Sequence, residues 1–201
     1  MPRRSQRERS DTTRAALVAT ARELFGDRGY AHVPADEVVR RAGVTRGAMY
    51  HHYADKRDLF RAVLEEVESE ITEEIAAAVA AAPDRAAGLV AAVRTMLGIC
   101  RRPAAVRIVL IDAPAVLGWQ EWRAVEERYG LRLITGLLDD AARDGQVEPA
   151  AVPILAQLAL SAVIEAALIV AHAEDREKAV ADAERALLTL LSGLLTGDRR
   201  R

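Results

Sequence analysis

Apolar residues return every three or four positions along almost the whole chain, and nowhere does a strict apolar–polar alternation persist over strand length. That period predicts helices from end to end. Leu17, Ala21, Leu24 and Phe25 share one face of a first helix over about Thr12–Arg28, with Gly29 as its stop. A short second helix, about Pro34–Arg41, opens on a proline whose fixed φ suits the first helical position. Gly43 turns the chain, Val44 reads as buried, and Thr45 caps a third helix reaching about His51 or His52. Asp55 caps a long fourth helix. Leu59, Phe60, Val63, Leu64, Val67, Ile71 and Ile75 form its stripe, and Pro83 ends it. A fifth helix spans about Asp84–Arg101, and Pro103 starts a sixth through about Ile111. After "DAPAVLG" a seventh runs over about Trp119–Arg143, broken or weakened near Gly130. "DGQVEP" reads as a turn, then helices follow over about Ala151–His172 and Asp175–Leu195, with a frayed "TGDRRR" tail. The expected fold class is all-α, with about nine helices.

Composition agrees with this. The chain has 201 residues, 51% hydrophobic and 29% charged, enough for a core and one or two domains, and its 4% aromatic content favours helix over sheet. One cysteine, Cys100, excludes an internal disulfide framework and fits a reducing, cytoplasmic setting. The start "MPRRSQRERSDTT" is basic without an apolar segment, so it does not read as a signal peptide. The longest apolar run, "ILAQLALSAVIEAALIVA", contains Gln157, Ser161 and Glu165, which argues against a membrane span. Charge is unevenly divided. Twelve Lys or Arg against seven Asp or Glu leave residues 1–57 at +5, while the remainder stands at −7. The head can approach a polyanion that repels the body.

The chemistry concentrates in "GVTRGAMYHHYADKRDLF", residues 43–60. Two short helices around a glycine turn are the helix-turn-helix arrangement, whose second helix enters the DNA major groove. The unit spans about residues 34–53. Gly43 permits the turn, Gly47 permits close backbone approach, and Arg46 can reach a guanine edge or a phosphate. Tyr50, His51 and His52 offer hydroxyl and ring donors. Lys56 stands at the start of the fourth helix, where free N–H groups favour an anion. Neighbouring histidines on a helix point about 100° apart, so His51 and His52 do not read as a metal site.

The segment from Ala21 to Val63 closely resembles the N-terminal domain of the tetracycline-repressor (TetR) family. The resembling elements are Leu24-Phe25, Arg28-Gly29-Tyr30, Ala42 through Gly47, Tyr50-His51-His52-Tyr53 and Lys56. The resemblance implies an all-helical homodimer that binds a double-stranded DNA operator and releases it when a small molecule enters a C-terminal domain. It places a DNA-binding head at residues 1–57 and a ligand-binding and dimerisation domain at 58–201. It makes Thr45, Arg46, Gly47, Ala48, Tyr50, His51, His52 and Lys56 the DNA-contacting set. "DAPAVLGWQEW" also looks like a pattern of some members' C-terminal domains. Two departures stand out. Val33-Pro34 replace the usual Thr or Ser cap of the second helix, which weakens its grip on phosphate. Ala48 replaces a commonly polar residue, which leaves an apolar contact such as a thymine methyl.

Beyond the head, Met96, Cys100, Trp119 and Trp122 are candidate walls for a mostly apolar effector. Ordinary packing is an equal reading of the two tryptophans, and Cys100 reads as a small buried hydrophobe rather than a redox sensor. Asp112 and Glu165 lie in apolar runs, as pocket acids or as ion-pair partners of Arg94 or Arg107. Leu158, Ala162, Leu187, Leu191 and Leu194 are candidates for a homodimer face, because helices apolar around much of their circumference need more than one partner. No HExxH, GxSxG, phosphate-cradling glycine loop or Cys–His pairing is present, so neither an enzyme nor a resident cofactor or metal is expected.

Overall fold

The computed structural model describes residues 6–195, and the tail expected to fray lies outside that range. The described residues are helical with no strand, and nine helices follow one another. They are α1 (Gln6–Arg28), α2 (Ala35–Arg41), α3 (Arg46–His52), α4 (Lys56–Ala80), α5 (Arg85–Ile99), α6 (103–117), α7 (119–143), α8 (Val152–His172) and α9 (Arg176–Leu195).

The starts of several helices follow directly from their caps. Thr45 Oγ1 accepts from Ala48 N at 3.1 Å and opens α3. Asp55 Oδ1 accepts from Asp58 N at 2.8 Å, while the Asp58 carboxylate accepts from Ala54 N at 3.1 Å, a reciprocal arrangement that fixes the start of α4. Asp84 accepts from Ala87 N at the start of α5, and Asp175 from Lys178 N at the start of α9. Pro34 stands just outside α2 in extended conformation, and its carbonyl accepts from Glu37 N. Gly29 (φ 82°) ends α1 and Gly43 (φ 68°) turns between α2 and α3, both in the left-handed region that glycine enters without a Cβ clash.

Two boundaries depart from the periodicity. Helix α1 is already formed at Gln6, the first described residue, well before Thr12. Thr12 does not cap it; its hydroxyl donates back to Glu8 O at 2.7 Å within the helix. Helix α6 does not end near Ile111 but runs on through Leu117. A wider π-type turn over Arg107–Asp112 precedes Pro114, where a regular helix would set the proline ring against the carbonyl four residues back. Helix α7 is weakened near Gly130, as expected, and not broken: a second π-type widening at Glu127–Leu131 keeps it continuous.

The chain divides into two compact units that do not follow chain order. One combines the described residues through Val67 with Pro103–Trp122, and the other combines Glu68–Arg102 with the described residues from Arg123 onward. In the first, Leu17, Leu24, Phe25, Val38, Met49, Leu59, Phe60, Val63, Leu64 and Ile108 are sealed from solvent. Phe25, Tyr30 and Phe60 meet at 5.2–5.6 Å in tilted or edge contacts, a core for so small a head. Helix α1 meets α6 so closely that a Cβ on Gly26 would stand 2.7 Å from Ala104 Cβ.

In the second unit α8 packs on α7 and α9, and α9 on α5. One apolar cluster there joins Leu138, Ala141, Val147, Val152 and Ala156. By length and mean hydropathy (2.2), Pro149–His172 would suffice to cross a membrane. Ala156, Ala159, Leu160, Ala166, Ala167 and Val170 of α8 are buried, while Ile154, Leu158 and Ile169 are exposed.

Candidate nucleic-acid interface

Helix α3 is divided between core and solvent. Met49 is fully buried and Tyr53, just past the helix, is 4% exposed, which anchors one side on α1 and α2. Arg46, Gly47, Tyr50 and His51 face outward. Nothing lies within 4 Å of where a Cβ on Gly47 would point, so this glycine leaves an open surface rather than accommodating a neighbour. The guanidinium of Arg46 lies 5.7 Å from the Tyr50 ring centroid and 3.4 Å from Asp36 Oδ1 of α2. Both partners are surface groups, so the arginine is held loosely and can exchange them for a stronger anion. His51 and His52 meet edge to face at 5.2 Å, and among the described residues no three metal-ligating side chains converge. Ala48 is half-buried.

Lys56 does not stand out in solvent. Its ammonium donates to Tyr30 O at 2.9 Å and Val33 O at 3.0 Å, and lies 3.8 Å from the Tyr30 ring centroid. Partial burial pulls its pKa down. Two of its three N–H bonds therefore fasten the connection between α1 and α2, and one direction remains for an external anion. The residue after it is fastened too. Arg57 donates to Val116 O at 3.1 Å, Leu117 O at 2.9 Å and Glu121 Oε2 at 2.5 Å, while Arg61 takes the other Glu121 oxygen. The first turns of α4 are thus tied to the end of α6 and the start of α7 inside the first unit.

The other candidate residues fall in several places. Asp112 forms no ion pair with Arg94 or Arg107. It accepts from Tyr30 N at 2.8 Å and holds the turn after α1, because the π-type widening of α6 aims its carboxylate there. Arg107 donates to Asp27 O, and Arg94 pairs with Glu184 at 2.7 Å. Trp119 is 66% exposed; its ring lies 5.1 Å from that of Trp122, which is buried with no hydrogen-bond partner for its indole nitrogen. Met96 is half-buried and Cys100 is buried, and desolvation pushes its thiol pKa up. Glu165 is exposed on α8.

Of the dimer candidates, Leu158 is exposed and Ala162 half-buried, but Leu187 and Leu191 belong to the chain's own core. Helical spacing placed them on an apolar stripe without saying which partner covers it; α9 turns that stripe inward and leaves Leu190 outside. The Leu194 side chain lies outside the described residues.

Sequence reading missed Glu68 and Glu126, buried to 4% and 5% exposure. A signal existed. Glu68 continues the stripe Leu64–Ile71–Ile75 at spacings of four and three, and Glu126 follows Trp122 by four.

Residues 17–63 match the family description "Bacterial regulatory proteins, tetR family", and residues 86–194, more than half of the chain, match "Tetracyclin repressor-like, C-terminal domain". A crystal structure of a TetR-family transcriptional regulator from Pectobacterium atrosepticum is 37% identical, covers 97% of this chain and 100% of its own, and superposes with a TM-score of 0.82. This chain belongs to the TetR family. It is a helix-turn-helix transcriptional regulator. The likeness to curated relatives is confined to the head. The transcriptional regulator AcrR of Shigella flexneri is 40% identical over 35% of this chain and 33% of its own length. The transcriptional activator FasR of Mycolicibacterium smegmatis is 41% identical over 31% of this chain and 29% of its own. The chain thus spans about a third of the curated relatives it matches. Regulators of this family are not generally enzymes.

Proposed function

We propose that this TetR-family protein is a cytoplasmic homodimeric repressor that leaves a near-palindromic operator when a small molecule binds its second unit. The observation that carries the reading is the divided surface of α3: Met49 locks one side into the head, while Arg46, Gly47, Tyr50 and His51 stand together on the other. Arg46 reads a base edge or a phosphate, Tyr50, His51 and His52 donate to the backbone, and Ala48 offers a methyl to thymine. Thr45 and Lys56 position the set, Thr45 by starting α3 and Lys56 by fastening α1 to α2 beside the groove. The functional division is a DNA-reading head at 1–57 and an effector and dimerisation body at 58–201.

Four or five reading side chains are too few for a genomic address, so two heads are needed, about 34–36 Å apart along one face of the duplex. The exposed residues Ile154, Leu158 and Ile169 on α8 and Leu190 on α9 supply the apolar surface for that pairing. Release follows from α4, which contributes Lys56–Val67 to one unit and its remaining turns to the other. An effector that binds a tilted α4 more tightly by about 1–3 kcal/mol weakens operator binding roughly 5- to 150-fold.

The test is a gel shift and footprint on the DNA flanking the chain's own gene. A protected, roughly symmetric site that survives competition by bulk DNA at moderate salt is expected. Equal affinity for every fragment would overturn the reading.

A further inference from the structure

Helix α3 opens on a cation that already has a carboxylate beside it. Arg46 is the first residue of α3, and the first residues of a reading helix are the ones that reach base edges. Asp36 lies in the first turn of α2, and its Oδ1 stands 3.4 Å from Arg46 Nη1. The two side chains are 64% and 65% exposed, so the pair belongs to the outer surface of the head rather than to its core. Tyr50, one turn further along α3, sets its ring centroid 5.7 Å from the same guanidinium. The Tyr50 hydroxyl first, and then the Asp36 charge, push the Arg46 pKa up. The guanidinium is thus held between an anion on α2 and a tyrosine on its own helix. It has five N–H donors, and these two partners leave several of them for DNA.

An acid in a first turn has an ordinary use, since it stabilises the N-terminus of its helix. Helix α2 has no side-chain cap, because Pro34 stands at that position. Glu37 serves the same end one residue later, and its carboxylate pairs with Arg28 at 2.6 Å. The two acids therefore divide: Glu37 ties α2 to the end of α1, and Asp36 turns to α3.

A carboxylate beside an arginine treats the two kinds of DNA acceptor differently. A phosphate brings a full negative charge, which Asp36 repels. A guanine edge presents two neutral acceptors, O6 and N7, which can take N–H bonds from Arg46 while Asp36 stays in place. The difference is small in open water and grows as DNA contact displaces the solvent.

We propose that Asp36 is a specificity-determining residue that acts through Arg46: it holds the guanidinium against phosphates and leaves it for a guanine edge of the operator. This rests on the reading of α3 as the DNA-reading helix, and it decides between the two acceptors open to Arg46. Asp36 is a positioning residue and touches no base itself. Its charge weakens binding to DNA in general and sharpens the choice at one base pair.

The experiment selects duplex sites from a random library with the full chain. Gel shifts then compare the selected site with its single-base variants for wild type, Asp36→Asn, Arg46→Ala and the double variant. The position read by Arg46 is the one whose base preference Arg46→Ala loses, and it is expected to be a G·C pair. Asp36→Asn is expected to bind bulk DNA about three- to tenfold more tightly and to steepen the salt dependence by about one unit. It is expected to lower the preference for guanine at that position by about three- to tenfold, with the other positions unchanged. In the Arg46→Ala background the same substitution is expected to leave the preference where it was. A role confined to the end of α2 would move the melting temperature and not a ratio between two DNA sequences. The proposal is overturned if Asp36→Asn changes all duplexes by one factor, if its effect on preference persists without Arg46, or if Arg46→Ala loses no base preference. Failure of the wild-type chain to select any site is a different result: it removes sequence reading by α3, and this inference with it.

Discussion

Lys56 and Arg46 lie ten residues apart and have different physical roles, which substitution can separate. Lys56 satisfies two backbone carbonyls of the α1–α2 connection. Lys56→Met leaves both without that donor in a half-buried place. It is expected to lower the head's unfolding free energy by about 1–3 kcal/mol in urea titration. Arg46 holds only exposed partners, so Arg46→Ala is expected to change stability by no more than about 0.5 kcal/mol. On the cognate operator the same substitution is expected to cost about 1–3 kcal/mol and to relax specificity at one base pair. If Arg46→Ala melts the head and Lys56→Met does not, the roles are reversed. Glu68 gives a pH signature. Burial, and then the neighbouring Glu126 charge, raise its folded pKa, so the folded state holds a proton that the unfolded chain has released. Its contribution to stability is therefore present below the ordinary carboxylate pKa and lost as pH climbs toward the raised folded value. E68Q cannot lose that proton. Its melting temperature is expected to exceed that of wild type by a margin that grows from pH 5 to pH 8, and a constant margin would argue against a buried neutral acid.

Among the elements, α1 and α6 meet closely in the first unit. Gly26 and Ala104 approach so closely that one added methyl at position 26 meets Ala104 Cβ at 2.7 Å, and neither backbone can yield as a flexible side chain would. Gly26→Ala is expected to cost about 1–3 kcal/mol by overpacking, beyond the gain that alanine brings to a helix. Adding Ala104→Gly should restore much of the loss, which a double-mutant cycle by thermal melting reads directly. An additive cycle would show that the helices do not meet there. Helix α6 also shows where element boundaries escape periodicity. Pro114 reads locally as a break after "IDA", yet the helix absorbs it by widening one turn. That widening is what aims Asp112 at Tyr30 N, so a local departure from α geometry sets a long-range contact.

For the whole molecule, the outward residues of α8 decide how copies associate. Leu158 is 59% exposed and Leu191 is 9% exposed. Leu158→Glu is therefore expected to leave a folded monomer in sedimentation and to weaken operator binding, since a single head is a weak ligand. Leu191→Glu is expected to lower the melting temperature of the chain itself, because it buries an unpaired carboxylate in the core. A dimeric, fully stable Leu158→Glu protein would place the interface elsewhere.

The all-α class, the two short helices around Gly43, the caps Thr45 and Asp55 and the outward set from Arg46 to His51 were legible without coordinates. Each depends on neighbours within a few positions: a side chain capping the next turn, a glycine at its own φ, a residue three or four steps along. The apolar stripes were legible as stripes, but their partners were not. A leucine at helical spacing pays no regard to whether its own chain or another covers it, so Leu187 and Leu191 went to the core while Leu158 and Ile169 stayed outside. The same holds for charge. Glu68 stands in "EEVESE" on the stripe of α4 that spacing turns inward, and only packing around α4 and α7 sets it against Glu126, fifty-eight positions along the chain. Lys56 reads as an end-of-helix cation, and only the return of the chain at Tyr30 and Val33 occupies its ammonium. Periodicity specifies which residues leave water; tertiary packing alone specifies what they meet there, because burial is set by the distance through space to elements that the local pattern does not contain.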